Sequence, residues 1–72
     1  MIKLSDLKAG DTITLDEGFT CLDAGDHTVL MNDTGPCVRC SEGLHYLDAQ
    51  EDMQGDLVGV IAHKPAKRVG HI

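Results

Sequence analysis

The sequence predicts an all-β fold, a small antiparallel barrel of five to six short strands with a short helical turn at most. Three observations predict it. Stretches such as Thr12-Ile13-Thr14-Leu15 alternate polar and apolar residues at the two-residue period of a half-buried strand. Clusters of Gly, Asp, Asn and Pro punctuate these stretches at intervals of roughly 8–12 residues or less, the rhythm of a sandwich or barrel. With 72 residues, the chain is one domain that buries only about 60% of its unfolded surface, and at this length only a small barrel can close.

The elements follow in order. Ser5-Asp6-Leu7-Lys8-Ala9-Gly10-Asp11 has a capping residue, a short helix-forming stretch and a Gly-Asp step, so it reads as one helical turn or a tight lead-in. Residues 12–15 form the first strand, with Ile13 and Leu15 facing a core, and Asp16-Glu17-Gly18 ends it. Phe19-Thr20-Cys21 continues the alternation as the return arm of a hairpin. Asp23-Ala24-Gly25-Asp26 is the next turn, and the β-branched and apolar residues of 27–31 are the third strand. Asn32-Asp33-Thr34-Gly35-Pro36 is a strong turn cluster. Residues 37–41 are the fourth strand, Ser41-Glu42-Gly43 a tight turn and residues 44–47 the fifth strand. Residues 48–56 are a polar connection with the composition of a loop or short helical turn, and residues 57–62 are the last strand. The barrel domain thus spans 1–62, and 63–72 is a basic, loosely ordered tail without pattern. The expected core is Ile13, Leu15, Phe19, Cys21, Val29, Met31, Val38, Cys40, Tyr46, Leu57 and Val60.

The lead-in Leu7-Lys8-Ala9-Gly10-Asp11 followed by five or six short strands resembles small SH3-like barrels, in which a Gly-Asp step commonly feeds the first long strand. The resemblance covers most of residues 5–62, and as a whole the chain resembles small proteins of bacteria and their phages. It implies a binding role more often than catalysis, although a fold does not by itself determine function.

Composition narrows the function classes. Twelve Asp/Glu against six Lys/Arg give a net charge of −6, which repels phosphate backbones and anionic membranes and argues against nucleic-acid and membrane partners. Lys64, Lys67 and Arg68 place three of the six basic residues in the last nine positions. Three charges fall short of a nucleic-acid patch and suit solubility or self-contact. An odd count of three cysteines excludes a fully paired disulfide framework within one chain, and Met1-Ile2-Lys3-Leu4-Ser5-Asp6 lacks an apolar secretory region. No apolar run approaches the roughly 18 residues of a bilayer span. A soluble cytoplasmic protein with reduced thiols is the expectation.

Residues 37–46 concentrate the candidate chemistry, with two cysteines, one histidine and the only tyrosine. Cys37, Cys40 and His45 form half of several zinc patterns, because thiolates and imidazole at short spacing suit tetrahedral Zn²⁺. The position five beyond His45 is Gln50, which is no ligand, so Asp48, Cys21, His27 or His63 would have to complete the set through the fold. On a strand, residues three apart point to opposite faces, which sets Cys37 against Cys40. The structural alternative places Val38 and Cys40 in the core and Cys37 and Arg39 in solvent. A thioredoxin-like dithiol needs a helix N-terminus, and this one follows Gly-Pro inside a strand pattern. A nucleophile of Cys37 or Cys40 with His45 oriented by Asp48 has the right residue types but no accompanying oxyanion-hole loop.

His45 and Tyr46 also suit a hydrogen-bonding interface at a barrel edge, against the plainer reading of Tyr46 as a core ring whose hydroxyl meets water. Asp48, Glu51, Asp52 and Asp56 lack the central glycine and closing Glu of an EF-hand and read as a solvated loop. A chain this short can scarcely enclose a cleft. The expectation is a non-enzymatic interaction or accessory module with no cofactor, whose partner is a protein or a second copy of itself, with a zinc-binding domain as the alternative.

Overall fold

The computed structural model describes residues 2–18 and 21–66, an all-β domain of six short antiparallel strands in which the only helical elements are two 3-10 turns. The first turn, Leu4–Asp6, belongs to the lead-in. The strands are β1 (Thr12–Leu15), β2 (Gly25–Thr28), β3 (Leu30–Asn32), β4 (Gly35–Cys40), β5 (Gly43–Tyr46) and β6 (Val60–Lys64). The second turn, Leu47–Gln50, follows β5 directly.

The strands do not close one barrel. They form two three-stranded sheets, ordered β2-β1-β6 and β3-β4-β5. Closure would require β5 to pair with the other sheet, and short bridges lie along the connection from β5 to β6 instead. Lys3 bridges to Asp56 and Glu51 to Leu57. The Leu57 N–H donates to the Ile2 carbonyl at 2.8 Å and the Val58 N–H to the Gln50 carbonyl at 2.8 Å.

One chain segment serves both sheets. The expected single strand over 27–31 divides into β2, paired with β1 from Thr12↔Thr28 to Leu15↔Gly25, and β3, paired with β4 from Leu30↔Cys37 to Asn32↔Gly35. Val29 is the corner between them and is fully buried. Its N–H donates to the Asp11 carbonyl at 2.7 Å and its carbonyl accepts from the Gly10 N–H at 2.8 Å, so the corner leaves no backbone group of Val29 unsatisfied. Gly10 takes φ +91°, and a Cβ there would meet the Ala66 Cβ at 3.2 Å, which explains why the Gly-Asp step ends the lead-in.

Other boundaries also shift. Phe19 and Thr20 lie outside the described residues, and Cys21 sits in a turn rather than on the return arm of a hairpin. Gly25 and Asp26, expected in a turn, begin β2, because the Thr14 hydroxyl donates across the ladder to Asp26 Oδ1 at 2.6 Å. The hairpin of β4 and β5 forms as expected around Ser41 and Glu42, with Gly43 at φ +120° and Leu47 passing into the 3-10 turn. β6 begins at Val60 rather than residue 57 and carries His63 and Lys64, which the sequence pattern leaves in the tail. Its register to β1 steps from Ala62↔Thr14 to Val60↔Leu15, so Ile61 is the extra residue of a bulge and stands 62% exposed on this edge strand.

The core unites Leu7, Ile13, Leu15, Leu22, Val29, Val38, Leu47, Leu57 and Val60, with Cys21 and Cys40 packed against it. Leu7 and Leu22 were not expected there, since each lies outside the strands, where period-2 reasoning is blind; Leu47, expected at the end of the fifth strand on the face opposite Tyr46, begins the 3-10 turn instead and is buried from there. Met31 was expected inside and is 45% exposed, because the corner at Val29 breaks the alternation that would have kept the two residues on one face.

Candidate functional site

Alternation and register decide which side chains of the β3-β4-β5 sheet share a face. Directly paired residues of an antiparallel ladder lie on the same face, and neighbours along a strand lie on opposite faces. Val38 pairs with His45, and Val38 belongs to the core, so Val38, Cys40 and His45 form the inner set. Cys37 pairs with both Leu30 and Tyr46, and Arg39 pairs with Leu44, so Leu30, Cys37, Arg39, Leu44 and Tyr46 form the outer set.

The candidate metal ligands therefore do not converge. Cys37 lies on one face of β4, and Cys40 and His45 on the other. Among the described residues, no group of three or more His, Cys, Asp or Glu side chains is placed to hold a metal ion. The ring Nε2 of His45 lies 2.9 Å from Oε1 of Gln50, five residues on. The Gln50 amide nitrogen donates to the Val58 carbonyl at 3.1 Å, which turns Oε1 toward the ring and requires Nε2 to carry the proton. Cys37 is also not solvent-facing as expected. It is only 1% exposed, because Leu30 and Tyr46 flank it on the two neighbouring strands.

The outer face is semi-apolar. Tyr46 is half-buried here rather than a core ring, and its hydroxyl accepts a hydrogen bond from Asn32 Nδ2 at 2.8 Å instead of meeting only water. Leu44 is 44% exposed, and Arg39 is exposed beside it. At the end of this face a cavity of about 430 Å³ is lined by Asp26, His27, Thr28, Leu30 and Arg39. His27, named above as a possible further metal ligand, is half-buried on β2, with Nε2 at 2.7 Å from the Asp23 carbonyl.

A second polar cluster has a fastening role. Asp11 is 2% exposed, and its carboxylate accepts from the Lys8 N–H at 3.0 Å, from His63 Nε2 at 2.7 Å and from the Ala66 N–H at 2.8 Å. The His63 hydrogen bond, and after it that of Ala66, lowers the Asp11 carboxyl from 3.8 to about 2, against the opposing effect of burial. Three donors on one buried carboxylate pin the residues after β6 onto the lead-in. Nothing local links positions 11 and 63, so no sequence signal marks this pair.

His71 and the basic residues Lys67 and Arg68 lie outside the described residues. No helix among the described residues is long and apolar enough to cross a membrane. Compared with known proteins, the chain matches no family model, no curated protein and no solved structure.

Proposed function

We propose that this domain is a non-enzymatic interaction module of SH3-like architecture that docks a protein partner on the outer face of the β3-β4-β5 sheet. The observation that carries the reading is the composition of that face. Tyr46, Leu44, Leu30 and Arg39 share that face, and Leu30 and Arg39 line the cavity at its end, on a chain with one Tyr, one Phe and no Trp. Tyr and Arg are the residue types enriched at the energetic centres of interfaces, and the Tyr46 hydroxyl, already accepting from Asn32, keeps its own proton to donate. The SH3-like assignment draws support from two features: the first and last strands pair with each other, and the segment carrying β2 and β3 runs through both sheets.

The test is selection from a displayed peptide library together with light scattering of the free domain. The wild-type chain is expected to enrich a defined peptide motif or to self-associate, and Leu44→Asp to abolish either without lowering the melting temperature. A monomeric chain that enriches nothing, or a Leu44→Asp variant that binds as well as wild type, would overturn the proposal.

A further inference from the structure

Resting on that docking reading, we propose that the cavity beside Arg39 receives a carboxylate, presented by an acidic side chain of the docked polypeptide. The cavity arises from the corner in the chain. The β3–β4 ladder runs Asn32↔Gly35, Met31↔Pro36, Leu30↔Cys37, and its register two residues further would set Thr28 against Arg39. Thr28 instead pairs with Thr12 in the other sheet, because the chain turns away at Val29. The sheets diverge there, and the Arg39 side chain faces the resulting gap rather than a cross-strand neighbour on β3.

The Arg39 side chain makes no hydrogen bond or ion pair among the described residues, in a chain with twice as many acidic as basic side chains. Lys3, by contrast, pairs with Asp56 at 3.0 Å. A guanidinium offers a planar fork of donors that matches a carboxylate in two parallel hydrogen bonds. The remaining lining suits the same group. Leu30 supplies an apolar wall for a methylene stem, and the Thr28 hydroxyl can donate. The His27 ring is held in place by its hydrogen bond to Asp23. Asp26, whose Oδ1 accepts from the Thr14 hydroxyl at 2.6 Å, also lines the cavity and adds one negative charge to it. That charge, with the net −6 of the chain, selects a single carboxylate over a phosphate dianion or a polyanion.

The experiment titrates N-acetyl-glutamate into the isotopically labelled full chain and follows backbone and arginine side-chain NMR signals, with N-acetyl-glutamine as the neutral isostere. Saturable shifts are expected at Arg39, Thr28 and His27 with the acid alone. Arg39→Gln, which keeps length and polarity but removes the charge, is expected to weaken the acid roughly tenfold or more. Equal shifts from the neutral isostere, an unchanged affinity in Arg39→Gln, or shifts of the same size at Lys3, Lys8 and Lys64 would overturn the proposal. Library peptides that depend on Leu44 but carry no Asp or Glu would overturn it too, while leaving the docking face standing.

Discussion

Replacing Gln50 by leucine is expected to cost the domain a large share of its stability. Gln50 is 4% exposed and links three segments. Its side chain accepts from His45 at 2.9 Å and donates to the Val58 carbonyl at 3.1 Å, and its own carbonyl accepts from the Val58 N–H at 2.8 Å. Leucine has nearly the same volume and keeps the backbone bond, so the loss isolates the two side-chain hydrogen bonds. Both bonds are partly buried, and losing each costs about 1–3 kcal/mol. His45 is half-buried and can recruit water, which sets the sum at about 2–4 kcal/mol. A domain of this length has roughly 4–11 kcal/mol in all, and each kcal/mol moves the melting temperature of such a domain by about 4–8 °C. Urea and thermal unfolding followed by circular dichroism measure both quantities. A loss below about 0.5 kcal/mol, the range of an ordinary surface change, would refute the role given to the His45–Gln50–Val58 chain.

Leu47→Ala, at a fully buried residue in the core, is expected to cost about 3–5 kcal/mol, whereas Leu44→Ala on the outer face stays within about 0.5 kcal/mol; the two unfolding curves side by side check the assignment of faces. Acid should weaken the fold through Asp11. Its folded pKa of about 2 lies below the ordinary 3.8, so its stabilisation is present above about pH 4 and is lost as the pH falls toward 2. Melting temperatures between pH 5 and pH 2 should decline less steeply in Asp11→Asn, which starts from a lower value, and parallel declines would sink the assignment. Alkylation followed by mass spectrometry is expected to modify the half-buried Cys40 well before Cys37, whose 1% exposure makes its modification wait on local opening; the reverse order would contradict the packing of β4.

The legible parts of the fold are those with a local cause. The alternation over Thr12–Leu15 and the turn at Ser41-Glu42-Gly43 locate β1 and the β4–β5 hairpin, because a strand's period and a turn's glycine are properties of neighbouring residues. Leu22 and Leu47 enter the core from a loop and a 3-10 turn, where no period announces burial. The spacing from His45 to Gln50, of interest as a place for a metal ligand, turns out to hold a hydrogen-bond partner. The site was legible only in part. His45 and Tyr46 stood out by residue type, but Arg39 drew notice only as a long side chain facing solvent.

Composition and local pattern alone settle an acidic, all-β chain of short antiparallel strands whose turns interrupt it at regular intervals. Only the tertiary structure decides that the strands divide into two sheets, since period two says which residues share a face but not which sheet a strand joins. That division happens at one residue, Val29, held by backbone bonds to Gly10 and Asp11 across the sequence. The same corner opens the gap beside Arg39 and gives the β3-β4-β5 sheet its outer face. The Asp11–His63 bond joins positions 52 apart, and such partners meet only when the chain has already folded.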